Sequence, residues 1–404
     1  MKLLLCGRIC DFSGYSTFSR NLAKSLSYAN SDLVLRAISY DQRDNGDKFI
    51  PPSWMDLALK RPLQDIDLLL QVTTPNIEAV PKPGICNGLA FFWESDRLPP
   101  TWLQIISQFD FLLVASRYNA QMLANCGITK PILVCPFPFE GDLYTQSREP
   151  YPLQNTGNRT IFYNISQLST KKGIDALLRA YYAAFADRPD EVLLVLKTYV
   201  NMQDRSNDLA TLRNFIDVIK RGCRLPIEKH PPIMPILDIL PDEDIQRLHK
   251  ACHAYVCSSR SEGYCVPALE SLAHGNTLIS NMYGGLAEFV SEKTSLVYNG
   301  CLTNCFDMHH PDPSIYTGLE RWWEPSVAEM STLMKSYHLL RKGAEEGNLS
   351  PDNQTKWAEV QQRAKTGSEL VQHLDYKRVG PLLLHQLESG FNAWKQTGKV
   401  NFNV

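Results

Sequence analysis

Short, strongly apolar runs recur along this chain, several of them separated by stretches whose apolar residues repeat at helical spacing. A strand buried on both faces reads as one continuous apolar run, and strands alternating with helices in this way build parallel, doubly wound sheets. In the first part the strand runs lie near 2–6, 34–39, 68–72, 88–92, 111–115 and 132–135, with helices near 16–27, 101–108 and 118–125. Residues 136–158 are rich in Pro, Gly and Asn and keep no period, so they read as a linker. A second series follows: strand 160–164, helix 173–186, strand 192–198, helix 209–220 and a mixed block from 233 to 290. From Trp357 onward the pattern is helical. The fold class is therefore α/β with two domains in series, 1–145 and 146–379. Ligands of such sheets bind outside the carboxyl ends of the strands, so two domains facing each other would share a cleft there.

With 404 residues, 44% hydrophobic and 21% charged, the chain can bury two substantial cores, and its composition excludes a disordered class. The start, Met1 to Cys6, is too briefly apolar for a signal peptide, and no run approaches a membrane-spanning length. The eleven cysteines fall mostly inside apolar strands and helices, which suits reduced thiols and a cytoplasmic location. Cys301, Cys305, His309 and His310 have spacings a zinc site could use, against the alternative of unrelated loop residues. The formal net charge is -2, and residues 1–150 carry fourteen Lys/Arg against fifteen Asp/Glu. That balance counts against a duplex nucleic acid as ligand, which demands a positive face.

The most pointed chemistry lies at Ser261 to Gly275. A short strand at 253–258 leads into a loop carrying Glu262, and the helix from Val266 to His274 carries Glu270. Two carboxylates eight positions apart around a strand-to-helix turn can address one small polar ligand, and the free amides of the helix start favour an anion. The alternative is a solvated Glu262 and an exposed Glu270. This segment resembles the Glu-x7-Glu signature of the nucleotide-sugar-dependent retaining glycosyltransferases of family 4 (glycosyl transferases group 1), and the order of elements from Ile233 to the Gly284-Gly285 turn is similar to that family's donor half. The resemblance implies the GT-B fold, two Rossmann-like doubly wound domains facing across a cleft, with 1–145 taking the acceptor and 146–379 the donor. It also implies that the last helix, about 380–404, packs back on the first domain. In that family the first Glu contacts the donor sugar and the second the ribose, which would fall to Glu262 and Glu270. Gly263, Tyr264, Cys265, Val266 and, upstream, Leu240 are the accompanying donor-binding positions.

Three further segments resemble family sites. The turn from Gly7 to Ser16 follows the first strand, where glycine permits close backbone approach and Ser13 or Ser16 can cap a helix whose positive end faces a phosphate. The resemblance gives Ser13 and Gly14 to the donor, and Asp11 and Tyr15 to the acceptor. At Phe91 to Trp102 many family members carry a catalytic-site His, whereas this chain has Trp93 and Glu94. Glu94, with Asp96 and Arg97, is the candidate for orienting acceptor or sugar; the alternative is an ion pair of Glu94 or Asp96 with Arg97. At Asn164 to Gly173, Lys172 falls on a position that neutralises the leaving diphosphate, while the partner Arg position holds Gln167. Lys171, Lys197 and Arg260 are possible substitutes for that missing charge, and the alternative is a solvated helix start.

No Asp-x-Asp stands at a strand end to hold a divalent cation, so Lys172 and helix amides would neutralise the diphosphate without metal. No cofactor is expected besides the nucleotide diphosphate sugar, read as uridine-based. The resemblance implies retention at the anomeric carbon, with transfer to a hydroxyl of a glycan or glycoconjugate. Two alternatives stay open: a viral enzyme glycosylating hydroxymethylated DNA bases, and an inactive sugar-nucleotide-binding protein. The catalytic set is then Glu262, Lys172 and Glu94.

Overall fold

The computed structural model describes residues 1–404 apart from Phe12, Ser31, 39–50, Ile77, 201–205, 309–314 and 403–404. By contact the chain forms two compact units, Met1–Gly141 with His309–Glu320 and His373–Val404, and Asp142–Met308 with Arg321–Gln372.

The first unit runs β1 (Leu3–Gly7), α1 (Gly14–Ala29), β2 (Val34–Ala37), α2 (Ser53–Lys60), β3 (Leu68–Val72), β4 (Cys86–Ala90), α3 (Pro100–Ile106), β5 (Phe111–Val114), α4 (Arg117–Asn125) and β6 (Ile132–Val134). Its six strands are parallel in the order β2-β1-β3-β4-β5-β6, with Leu4 opposite Val34 on one side and Leu69 on the other. All of β3, β4 and β5 is buried, which is why those strands read as unbroken apolar runs. α1 starts at Ser13, whose hydroxyl accepts the Ser16 amide at 3.2 Å, and turns Phe18, Leu22 and Leu26 inward at a spacing of four. Trp93, Trp102, Ile106 and Phe109 form a second core patch, joined by Ile315 and Tyr316.

The second unit continues with α5 (Asp142–Thr145), β7 (Thr160–Gln167), α6 (Ile174–Phe185), β8 (Val192–Tyr199), α7 (Asp208–Cys223), β9 (Ile233–Ile236), α8 (Asp242–Ala251), β10 (Ala254–Val256), α9 (Val266–Ala273), β11 (Thr277–Ser280), β12 (Leu296–Val297), β13 (Gly300–Asn304), β14 (Arg321–Pro325), α10 (Val327–Glu345) and α11 (Pro351–Gln372). Its main sheet is parallel in the order β12-β11-β10-β7-β8-β9. The core gathers Phe162, Tyr181, Phe185, Leu194, Val256 and Ile279 with Met330 and Met334 of α10. β13 and β14 pair antiparallel, Gly300 opposite Pro325 and Asn304 opposite Arg321. The last helix, α12 (Tyr376–Thr397), lies along α1 in the first unit, where Gly380 lets the backbones approach.

Several boundaries differ from the sequence reading. The stretch read as linker contains α5 and opens the second unit at Asp142, not at 146, because Tyr144 docks there by a hydrogen bond to Glu270. The second unit is also interrupted, since Ile315 and Tyr316 pack into the first unit's core and residues from His373 onward belong to it. The strand expected at 253–258 stops at Val256, where the chain leaves the sheet to build the loop described next.

Candidate active site in the second sheet

β7 is the first strand of its sheet, with β8 on one side and β10 on the other, so the winding reverses between β7 and β10. The crevice beyond the strand ends at such a reversal is where doubly wound sheets bind ligands. Two loops leave the strands there. After β7 comes a 3-10 turn, Thr170–Lys172, ending in Gly173 at φ 60°; after β10 comes Cys257 to Cys265.

These loops are fastened to each other. The Arg260 amide donates to Lys171 O at 2.8 Å, and the Ser258 hydroxyl donates to Lys172 O at 2.9 Å. A Cβ on Gly173 would stand 2.2 Å from Ser258 O, so only glycine admits this approach. Asn281 donates to Ser259 O at 3.0 Å and Tyr298 to Cys257 O at 2.6 Å. The Gly285 amide donates to Glu262 O at 2.9 Å, and a Cβ on Gly285 would meet Gly263 O at 1.9 Å. The Gly-Gly turn is thus a backbone clamp on the glutamate loop.

Glu262 is 7% exposed and carries a cation and a hydroxyl on one oxygen: Lys172 Nζ stands 2.7 Å from Oε1, and the Ser259 hydroxyl donates to the same atom at 2.6 Å. The reading of a solvated Glu262 is therefore excluded. Cys265, at φ 73°, starts α9 in the left-handed region, a strained conformation for a residue with a side chain. Its thiol lies 3.8 Å from that of Cys257.

Glu270, in the middle of α9, has separate partners. Tyr144 donates its hydroxyl to Oε1 at 2.9 Å, and His249 Nε2 lies 3.5 Å from Oε2. Burial pushes the Tyr144 hydroxyl well above its usual pKa, and the neighbouring Glu270 charge adds to the shift, so Tyr144 is a donor throughout. The rings of His249 and His274 stack 5.4 Å apart at 11°, and His274 is bonded to Gln246 at 2.6 Å.

The proposed substitutes for the missing cation fare differently. Arg260 is 6% exposed and gives its guanidinium to Thr170 O, to both oxygens of Asp175 and to both of Glu324, at 2.5–3.0 Å. Burial works against its charge, but the two carboxylates raise its pKa beyond the usual arginine range. Arg260 therefore splints the two loops from behind and is matched by charges of its own. Gln167 donates to Val200 O at 3.1 Å, and Lys197 is buried on β8. Tyr264 is buried with its ring 5.4 Å from that of Phe289, and Leu240 is half-buried just before α8.

In the first unit, the turn after β1 is closed by the protein's own anion. Asp11 Oδ1 accepts from the Ser13 amide at 2.7 Å and the Ser16 hydroxyl at 2.6 Å, while Arg8 stands 3.0 Å from Oδ2. Burial would raise the Asp11 pKa, but these hydrogen bonds and Arg8 outweigh it and hold the carboxyl below its usual range. The helix start expected to face a donor phosphate is met by Asp11; Gly14 is exposed beside it. Tyr15 uses its hydroxyl twice on the Phe92 backbone, at 3.0 and 3.1 Å. Trp93 is a core residue, stacked 5.4 Å from Tyr316; Glu94 and Asp96 are half-buried and Arg97 is exposed.

Of the zinc candidates, Cys301 is exposed and Cys305 buried, while His309 and His310 lie outside the described residues. Among the described residues no group of three His, Cys, Asp or Glu could hold a metal, and no helix is long and apolar enough to cross a membrane.

The segment from the end of β9 through both glutamates decides the comparison. Residues 236–309 match the family model of glycosyl transferases group 1. No curated protein matches the chain by sequence. Among solved structures, HepE from Anabaena in complex with UDP and glucose is similar at 13% identity over 96% of this chain and 100% of that one, with a TM-score of 0.61. Sucrose-phosphate synthase from Thermosynechococcus elongatus is similar at 15% identity over 97% and 99%, TM-score 0.63. The E. coli trehalose-6-phosphate structure bound with UDP-2-fluoro glucose is similar at 15% identity over 96% and 99%, TM-score 0.63. The fold is GT-B, made of two Rossmann-like parallel sheets.

Tyr144, His249, Asp175, Glu324 and Ser259 belong to this arrangement and were not singled out from sequence. Asp175 is an acidic residue in the first turn of α6, where acidic residues are common, and Tyr144 sits among breakers 126 positions from its partner.

Proposed function

We propose that this protein is a retaining glycosyltransferase that moves a sugar from a nucleotide diphosphate sugar, uridine-based, to an acceptor hydroxyl of a glycan or glycoconjugate. The observation that carries the reading is the Lys172–Glu262 pair, 2.7 Å apart in a loop crevice at the winding reversal, inside a fold whose solved relatives hold UDP or a UDP-sugar. The family match over Glu262 and Glu270 supports the same assignment.

In this reading Glu270 accepts from the nucleotide ribose and Glu262 holds the donor sugar, with the backbone of Gly263, Tyr264, Cys265 and Val266 lining it. Lys172 stands between Glu262 and the diphosphate. As the sugar bond breaks, negative charge grows on the leaving diphosphate, and a fixed ammonium stabilises that charge more than it stabilises bound donor. The amides opening α9 add to it. No metal is required for this neutralisation, and neither glutamate needs to become a nucleophile. Departure of the diphosphate on the face that the acceptor enters gives retention, with a phosphate oxygen taking the proton. Glu94 and the Asp11 turn of the first unit are assigned to the acceptor. Eleven cysteines outside any disulfide fit a reducing compartment, and we assign the protein to the cytoplasm.

Thermal unfolding against a panel of nucleotide sugars tests the donor: a ligand that binds only the native state raises the midpoint by mass action. A uridine-based sugar is expected to give the largest rise, and a panel that leaves the midpoint unmoved would refute the reading.

A further inference from the structure

Glu270 has two oxygens, and the protein aims a different donor at each. Tyr144 holds Oε1 at 2.9 Å. On the other side His249, fully buried on α8, points Nε2 at Oε2 from 3.5 Å, and that nitrogen has no hydrogen-bond partner. A buried ring nitrogen left unpaired is unfavourable and rare in a well-packed interior, so its presence beside a ligand-binding carboxylate calls for a reason.

The rest of the ring is fixed. His249 Nδ1 lies 2.7 Å from the Tyr163 hydroxyl. That hydroxyl also faces the Asn276 amide nitrogen at 2.8 Å, and the same nitrogen donates to His249 O at 2.8 Å. An amide NH2 only donates, so the Tyr163 oxygen accepts from Asn276 and its single proton goes to Nδ1. Nδ1 is then an acceptor, and the ring proton sits on Nε2, directed at Glu270. His274, stacked on His249 and packed edge-on to Tyr144 at 5.1 Å, keeps both rings in place.

We infer that His249 is a positioning residue for Glu270: Asn276, Tyr163 and His249 form a relay that orients the carboxylate toward the nucleotide ribose, and Tyr144 occupies the ribose's place at Oε1 in the free protein. When a ribose hydroxyl replaces Tyr144, Glu270 swings onto Nε2–H and the orphaned donor is satisfied. The inference rests on the reading that Glu270 takes the ribose.

Calorimetry with UDP, GDP and ADP identifies the tightest nucleotide, and the same titration with its 2′,3′-dideoxy form isolates the ribose hydroxyls. The parent is expected to prefer the full nucleotide by about tenfold or more. His249→Phe keeps the ring and removes Nε2–H; Tyr163→Phe keeps His249 but releases its tautomer, and serves if the first variant unfolds. Both should compress the preference to within about threefold while dideoxynucleotide affinity stays within about twofold of the parent, a split that a general packing defect does not produce. A parent that discriminates and variants that keep its full preference would overturn the relay alone. A parent that binds without discriminating removes Glu270 from the ribose and the relay with it, and a parent that binds none of the three overturns the underlying reading.

Discussion

Lys172 and Glu262 meet 2.7 Å apart although they leave different strands, and each is set by a backbone contact that tolerates no side chain: Gly173 against Ser258 O, and Gly284-Gly285 against the Glu262 loop. The pair therefore belongs to the fold before any ligand arrives. Such preorganisation is what a charge-stabilising site needs, since groups already in place require no rearrangement when charge develops.

Lys172→Ala should lower the rate at saturating donor on the order of a hundredfold or more, about 3 kcal/mol. It also strands a buried Glu262 carboxylate, at a stability cost of about 1–3 kcal/mol. Glu262→Gln added to that variant should recover stability and not rate. Single-turnover kinetics and urea unfolding separate the two effects, and a rate within about threefold of the parent would assign the leaving-group charge to another cation.

Gly173→Ala should destabilise more than Gly127→Ala. Both glycines have positive φ, 60° and 82°, but a Cβ at Gly127 meets nothing within 4 Å while one at Gly173 meets Ser258 O at 2.2 Å. Left-handed strain alone costs about 1–2 kcal/mol. Both variants carry that strain, so the difference between their thermal midpoints reports the Ser258 contact, with nucleotide affinity lost only at Gly173; equal midpoints would show that the loop contact is soft.

The sheets were legible because their strands are buried on both faces, and α9 because Ala268, Leu269 and Leu272 mark its inward side. Glu262 and Glu270 were legible from their spacing. What escaped were pairings set by distance in space. β13 and β14 are short and separated by a long connection, and α10 shows little contrast between its faces. His249 is a polar residue at a helix position that is fully buried, and only its neighbours Tyr163 and Asn276, far off in sequence, explain it. In the turn after β1, glycine and serine at a helix start mark an anion site without saying whose anion fills it; here Asp11 accepts from the Ser13 amide and the Ser16 hydroxyl.

Arg260→Lys should be chiefly a stability variant. An ammonium cannot reproduce the forked bonds to Asp175 and Glu324, and about 2 kcal/mol of stability is expected to go with them. Nucleotide affinity should change less than about threefold, because those carboxylates, not a ligand, hold the guanidinium. A large loss of affinity with unchanged stability would place Arg260 on the diphosphate.

Acid should weaken the second unit through two half-buried imidazoles, His274 and His253. Burial, with His249 and Lys250 nearby, lowers His274 to about 3, and burial with Arg341 lowers His253 to about 4, from an ordinary 6.5. The unfolded chain then binds more protons than the native one between those values and 6.5, so stability is full above 6.5 and falls as pH drops toward the native values. The slope is at most about 1.4 kcal/mol per pH unit for each group. Denaturant midpoints measured from pH 6.5 down to 4 check this, and His274→Gln should flatten the curve; a flat parent curve would mean that neither ring is held neutral.

In the proposed reading Lys172, Glu262 and Glu270 bind and split a nucleotide diphosphate sugar without metal. Release of nucleoside diphosphate from a panel of nucleotide sugars, followed in excess chelator for the parent and Lys172→Ala, tests it most directly. Release by the parent from a uridine-based sugar in chelator is expected, with loss on the order of a hundredfold in the variant. Parent activity that vanishes in chelator and returns with magnesium or manganese, or no release from any nucleotide sugar, would contradict it.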